Sequence, residues 1–134
     1  MLLNQKVEIN KGDWKMFFES DNHVTLQGNL ATLINPNYTN SGKAVANFNL
    51  YVPIPATNKN GAQRSAPIPC KIWDKNAENL AKYTAKGSSI AVTGFLTQES
   101  FEDRKGEIQY KTVVIVSSFK LIEGKEKTEE RRKK

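Results

Sequence analysis

Residues 68–94 read IPCKIWDKNAENLAKYTAKGSSIAVTG, and the fold is decided there. Ile68, Cys70 and Ile72 alternate with Pro69, Lys71 and Trp73, the two-residue period of a strand with one buried face. Asp74 follows as a helix N-cap, Ala77, Leu80 and Ala81 form an i, i+3, i+4 apolar stripe, and Lys86-Gly87 supplies the stop. A new strand opens at Ser89. The stretch therefore predicts strand, short one-sided helix, strand.

The same alternation extends in both directions. Val24, Leu26, Gly28 and Leu30 alternate with Thr25, Gln27 and Asn29, and two turn-rich clusters, Asn35-Pro36-Asn37 and Asn40-Ser41-Gly42, follow. Over residues 45–52, Ala46, Phe48 and Leu50 point one way and Asn47, Asn49 and Tyr51 the other, and Pro53 and Pro55 predict the strand's end. Residues 57–65, with Lys59, Gly61 and Arg64, read as a flexible basic loop. Strands at 89–100 and 108–119 share a charged hairpin tip at 102–106. Three strands, a helix and two strands predict an all-β, five-stranded Greek-key OB-fold barrel with its helix between the third and fourth strands.

That barrel occupies residues 22–122 as one domain. Residues 1–21 form an N-terminal extension, too apolar at Val7, Ile9, Trp14, Met16, Phe17 and Phe18 for a disordered tail, and predict an extra strand or hairpin turning at Lys11-Gly12-Asp13. Residues 123–134 are polar and mostly charged, which suits a flexible solvated tail or a frayed helix.

Composition narrows the function. The 20 Lys and Arg outnumber the 14 Asp and Glu, a net charge of +6 that favours a polyanionic partner. A single cysteine, Cys70, excludes an internal disulfide, and with His23 the only histidine a clustered zinc site is excluded too. No cofactor or metal is expected. The start of the chain lacks a basic region followed by an apolar run, and nowhere do about 18 apolar residues run together. The expectation is a cytoplasmic protein, in which the glycosylation pattern at Asn37-Tyr38-Thr39 is fortuitous.

Four segments resemble the bacterial single-stranded DNA-binding protein (SSB) family: NHVTLQGNL (22–30), GKAVANFNL (42–50), IWDKNAE with LAKY, KG and VTG (72–94), and SFED with Gly106 and YKTVV (100–114). They run in order over residues 22–121. The resemblance implies a non-catalytic barrel that coats single strands with little sequence preference, as a homotetramer or dimer, in DNA replication, repair or recombination. Trp73 and Phe101 match positions where the family stacks bases on aromatics. The chemistry agrees, because single strands expose flat bases and phosphates that call for aromatic platforms interleaved with cations. From alternation and charge we add Tyr51, Asn47, Asn49, Lys43, Lys71, Lys75, Arg104, Lys105 and Lys111 as DNA-binding candidates. Phe48 and Tyr83 read as structural.

The chain departs from the family in three places. Ala66-Pro67-Ile68-Pro69 replaces a region that commonly carries a further tryptophan, and its prolines predict an edge or an altered loop. Gln98 and Glu99 stand before Phe101 where relatives often have arginines. The sequence closes on Glu129-Glu130-Arg131-Arg132-Lys133-Lys134 without a phenylalanine or acidic tip, so recruitment of replication enzymes through such a tail is not expected. That ending fits either a shortened chain or an accessory or mobile-element member. Scattered carboxylates argue against a metal-dependent nuclease. An OB-fold protein-interaction module, or an accessory protein that binds single- and double-stranded nucleic acid weakly, is the alternative.

Overall fold

Strand alternation sorts the barrel into an inside and an outside. The computed structural model describes residues 21–57 and 63–133. Among these are β1 (Val24–Leu30), β2 (Asn37–Tyr38), β3 (Ala44–Thr57), β4 (Gln63–Trp73), α1 (Asp74–Tyr83), β5 (Ser89–Glu102), β6 (Ile108–Leu121) and α2 (Lys125–Arg132). Ala44, Ala46, Phe48 and Leu50 of β3, Cys70 and Ile72 of β4, Ile90 and Val92 of β5, and Val114 and Val116 of β6 turn inward and form one buried core. Amphipathic α1 buries Ala77 and Leu80 and packs on β3, β4 and β6. Burial pushes the Cys70 thiol up to about 12, so it behaves as a small apolar side chain.

The sheet runs β1-β5-β6-β4-β3-β2, and an additional β1–β3 pairing closes it. Every pairing is antiparallel except β4–β6, where Cys70, Lys71 and Ile72 lie beside Val114, Ile115 and Val116. With the two-residue β2 set aside, this is the expected OB-fold: a closed five-stranded mixed barrel with α1 between its third and fourth strands.

Several local expectations differ from what the structure shows. Pro53 and Pro55 do not end β3, and β4 begins at Gln63 rather than Ile68. The β3–β4 ladder instead passes through the prolines, with Pro69 opposite Asn49, Pro67 opposite Tyr51 and Pro53 opposite Ser65. These are alternate rungs of one antiparallel ladder, the set on which neither residue needs its N–H across the pair. The prolines also lie where a second neighbour is missing: β4 meets β6 only from Cys70 onward, and β3 meets β1 only at Leu50 and Tyr51.

Asp74 does not cap α1 with its side chain. Trp73 is the N-cap, and Asp74 takes the left-handed φ of 59° that lets the chain leave β4 and enter the helix. The helix stops at Tyr83, before Lys86-Gly87. Of the two readings of residues 123–134, the structure has the helix. Arg131 of α2 pairs with Glu123, and the Arg132 guanidinium donates to the carbonyls of Ala81, Lys82 and Thr84 at the end of α1. The expected N-terminal strand or hairpin and the middle of the basic 57–65 loop, residues 58–62, lie outside the described residues. No described helix is long and apolar enough to cross a membrane.

Two glycines let strands approach closely. A Cβ on Gly28 would stand 2.2 Å from the Tyr51 carbonyl oxygen, and one on Gly94 would stand 1.8 Å from the Ile115 carbonyl oxygen. Gly94 borders the irregularity at which β6 gains a residue: Thr93 faces Ser118 but Gly94 faces Val116. The skipped Ser117 uses its carbonyl to accept the Asn76 side-chain amide of α1 at 3.0 Å. Replacing Gly94 with alanine must push β5 off β6. The expected cost is at least about 1–3 kcal/mol, the usual range for overpacking, which should lower Tm by roughly 5–15 °C in a thermal melt.

Candidate nucleic-acid interface

Residues paired across a ladder share a face, so the register shows which candidates stand together. On the outer surface, β3 presents Val45, Asn47, Asn49 and Tyr51 against Trp73, Lys71, Pro69 and Pro67 of β4. Lys71 of β4 lies beside Ile115 of β6, and Ile115 faces Phe95 of β5. Further along that hairpin, Lys111 faces Glu99 and Gln109 faces Phe101. One continuous face across β3, β4, β6 and β5 thus carries Asn47, Asn49, Tyr51, Lys71, Trp73, Lys111 and Phe101.

The parallel pairing of β4 with β6 orients this face. Both long hairpins, β3–β4 and β5–β6, project from the same end, whereas Trp73 and the start of α1 mark the other. Lys43, two residues before Val45, and Lys75, two residues after Trp73, are exposed at the Trp73 end. Arg104 and Lys105 are exposed at the β5–β6 tip. At about 3.3 Å per strand residue, the distance from Trp73 to the level of Phe101 is roughly 25 Å, suited to several nucleotides of extended strand.

The three candidate aromatics are exposed to different degrees. Phe101 is 48% exposed and Tyr51 44% exposed, while Trp73 is half-buried with the Lys71 ammonium 5.8 Å from its ring centroid. Asn47, Asn49, Pro69, Lys111 and Val113 are among the residues that line a depression of about 150 Å³. Phe48 is buried, as expected of a structural residue, whereas Tyr83 is 48% exposed, with the Lys82 ammonium 5.3 Å from its ring centroid. Phe95, 41% exposed, is an aromatic on the same face that the sequence reading missed. Its signal was present: with Ile90 and Val92 inward, the same alternation turns Phe95 outward. Register also exposes what the sequence hid. Lys71 is not a free cation, because its ammonium is ion-paired with the Glu99 carboxylate, both side chains being partly buried.

A second depression, about 560 Å³, lies among Leu33, Ile34, Pro36, Ala85, Arg131 and Arg132 and shares no lining residue with this face. Among the described residues no group of three or more His, Cys, Asp or Glu could hold a metal ion.

A closed mixed barrel with aromatic and cationic side chains spread over one outer face falls in the class of OB-fold barrels. The chain belongs to the single-strand binding protein family, whose profile matches residues 21–122. It is 38% identical over 110 residues to a single-stranded DNA-binding protein of Enterococcus faecalis, covering 82% of this chain and 58% of that protein. It is 40% identical over 104 residues to one of Oceanobacillus iheyensis (78% and 65%), and 36% identical over 107 residues to single-stranded DNA-binding protein 1 of Streptococcus pyogenes (80% and 82%). Against the Enterococcus faecalis, Lactiplantibacillus plantarum and Oceanobacillus iheyensis proteins, the matched region spans 54–65% of the relative's length.

At the hairpin end of the face, Asp103 organises the turn that carries Arg104 and Lys105. Its carboxylate accepts the Lys105 and Glu107 backbone N–H groups at 2.9 Å each and the Gln109 amide at 3.1 Å, while Gly106 supplies a φ of 81°. The Glu107 N–H, foremost, holds this carboxyl below the usual aspartate range. A depressed carboxyl contributes order above the value of free aspartate and loses it as pH falls toward the folded value. Acidification below about pH 4, the free aspartate value, should therefore release the Lys105 and Glu107 amides. An NMR titration from pH 6 to pH 2 would show both amides shifting together, and Asp103→Ala should loosen them at every pH.

Proposed function

We propose that the chain binds and coats single-stranded DNA without catalysis and with little sequence preference, using the β3–β4–β6–β5 face. The carrying observation is the gathering of Trp73, Phe101 and Tyr51 with Lys71 and Lys111 on one outer face in a chain of this family. Unpaired bases can lie flat on such platforms, whereas a duplex keeps its base faces stacked away. Asn47 and Asn49 offer hydrogen bonds between the platforms, and Lys43, Lys75, Arg104 and Lys105 extend positive charge to both ends. Residues 22–122 are the binding unit, working in the cytoplasm as a homodimer or homotetramer, since repetition of a small barrel adds avidity.

Fluorescence titration of the chain with a single-stranded oligonucleotide, in competition with a duplex of equal length, tests this reading. The single strand should win, and log K should fall with log salt with a slope of roughly −2 or steeper, at about 0.7 per neutralised phosphate. Equal affinity for the duplex would leave only a general phosphate binder.

Trp73→Ala and Phe101→Ala should each cost about 1–3 kcal/mol of binding, the worth of one base stack, or roughly fivefold to over a hundredfold in affinity. Trp73 points away from Cys70 and Ile72, so melting of Trp73→Ala should stay close to that of the parent chain. A large loss of Tm with normal binding would move the interface elsewhere. Light scattering should report a dimer or tetramer, and a monomer at micromolar concentration would overturn the assembly.

A further inference from the structure

We propose that Glu99 is a built-in competitor for phosphate at the centre of the binding face. This rests on the single-strand reading above and says what limits it. The Glu99 carboxylate is ion-paired with Lys71, which also lies 5.8 Å from the Trp73 ring centroid, and Glu99 directly faces Lys111 across the β5–β6 ladder. One anion therefore sits between the two central cations of the face. Asn47, opposite Lys71 on β3, is neutral, as is Thr97, the nearest outward residue before Glu99 on β5. A carboxylate offers a lysine ammonium the same charge and the same oxygen acceptors as a phosphate.

For a phosphate to reach Lys71, the Glu99 carboxylate must give way, and it then remains as an unpaired negative charge beside the polyanion. Binding at this point is an exchange of one anion for another and releases little net counterion. The cationic ends, where Lys43, Lys75, Arg104 and Lys105 are exposed, make initial contact, and the centre engages only as Glu99 yields.

Titration of a labelled oligothymidylate by fluorescence anisotropy between 0.05 and 0.5 M salt, with the full chain, tests it. Glu99→Gln keeps the side-chain shape and removes the charge. It should free one phosphate contact, steepening the log K against log salt slope by about 0.7 and tightening binding about fivefold at 0.1 M salt. Glu102→Gln removes the same charge from the same strand on the opposite face, and it should change affinity by much less. Melting curves check that both variants keep the fold.

If Glu99→Gln binds as the parent does, or more weakly, the carboxylate is inert or positions Lys71 productively, and the proposal is overturned. If Glu102→Gln tightens binding equally, the effect is net charge alone and the proposal is likewise overturned. If the parent binds and only the Glu99 result fails, the single-strand reading stands. If neither the parent nor any variant binds, both fall.

Discussion

The barrel depends on a single tight contact, the short β1–β3 pairing at Asn29–Tyr51 and Leu30–Leu50. A sheet ordered β1-β5-β6-β4-β3 would otherwise end in two open edges, each a template for unwanted pairing. Closure needs the two backbones to approach within less than a side chain's width, and Gly28 permits it by leaving the space above the Tyr51 carbonyl empty. Asn29, next to Gly28, donates its amide to the Gly87 carbonyl and the Ser89 hydroxyl, tying the closing strand to the turn that starts β5. α1 packs on β3, β4 and β6, and the parallel β4–β6 pairing sets the β3–β4 and β5–β6 hairpins side by side. The continuous outer face rests on that β4–β6 pairing.

Beyond the closed part, both hairpins continue as two-stranded ribbons, and their sequences change accordingly. In the ribbon of β3 and β4 the inner-face Val52 and Ile68 are only partly buried against the core, and prolines occupy one set of rungs without loss of ladder bonds. They deny that set of positions to a pairing partner and stiffen the ribbon, with Pro67 directly across from Tyr51. The β5–β6 ribbon has no proline and fixes its tip through the Asp103 side chain instead. Either device holds the neighbouring aromatic, Tyr51 or Phe101, on a stiffened ribbon.

Much of this was legible in the sequence, for a physical reason in each case. The two-residue period marks the core because a closed barrel has a dry inside, and hence Ala46, Phe48, Leu50, Cys70 and Ile72 were placed correctly by alternation alone. Outward residues such as Asn47, Asn49 and Lys71 followed as the complement. The extent of the strands was not legible at Pro53, Pro55, Pro67 and Pro69, because whether a proline breaks a ladder depends on which neighbour its nitrogen faces. Asp74 was misassigned for a related reason: an aspartate at a helix start reads as a cap, while its tolerance of positive φ leaves no separate mark. The Lys71–Glu99 pair was invisible, since it joins residues 28 apart in sequence through a sheet register that only the folded barrel defines.

The end of the chain follows the same logic of spending charge locally. α1 is short, and its last carbonyls, without partners inside the helix, carry a partial negative charge. Arg132 answers them by donating to three carbonyls, while Arg131 is held by Glu123, whose carboxyl is kept below the usual glutamate range by that guanidinium. Two of the cations that make the closing segment basic are therefore committed to docking α2 onto α1. On the outer face, exposed cations stand at its two ends, Lys43 and Lys75 at one and Arg104 and Lys105 at the other. A net charge of +6 therefore hides how unevenly charge is spread over the candidate face. Its two ends are open, and its centre is held by its own carboxylate.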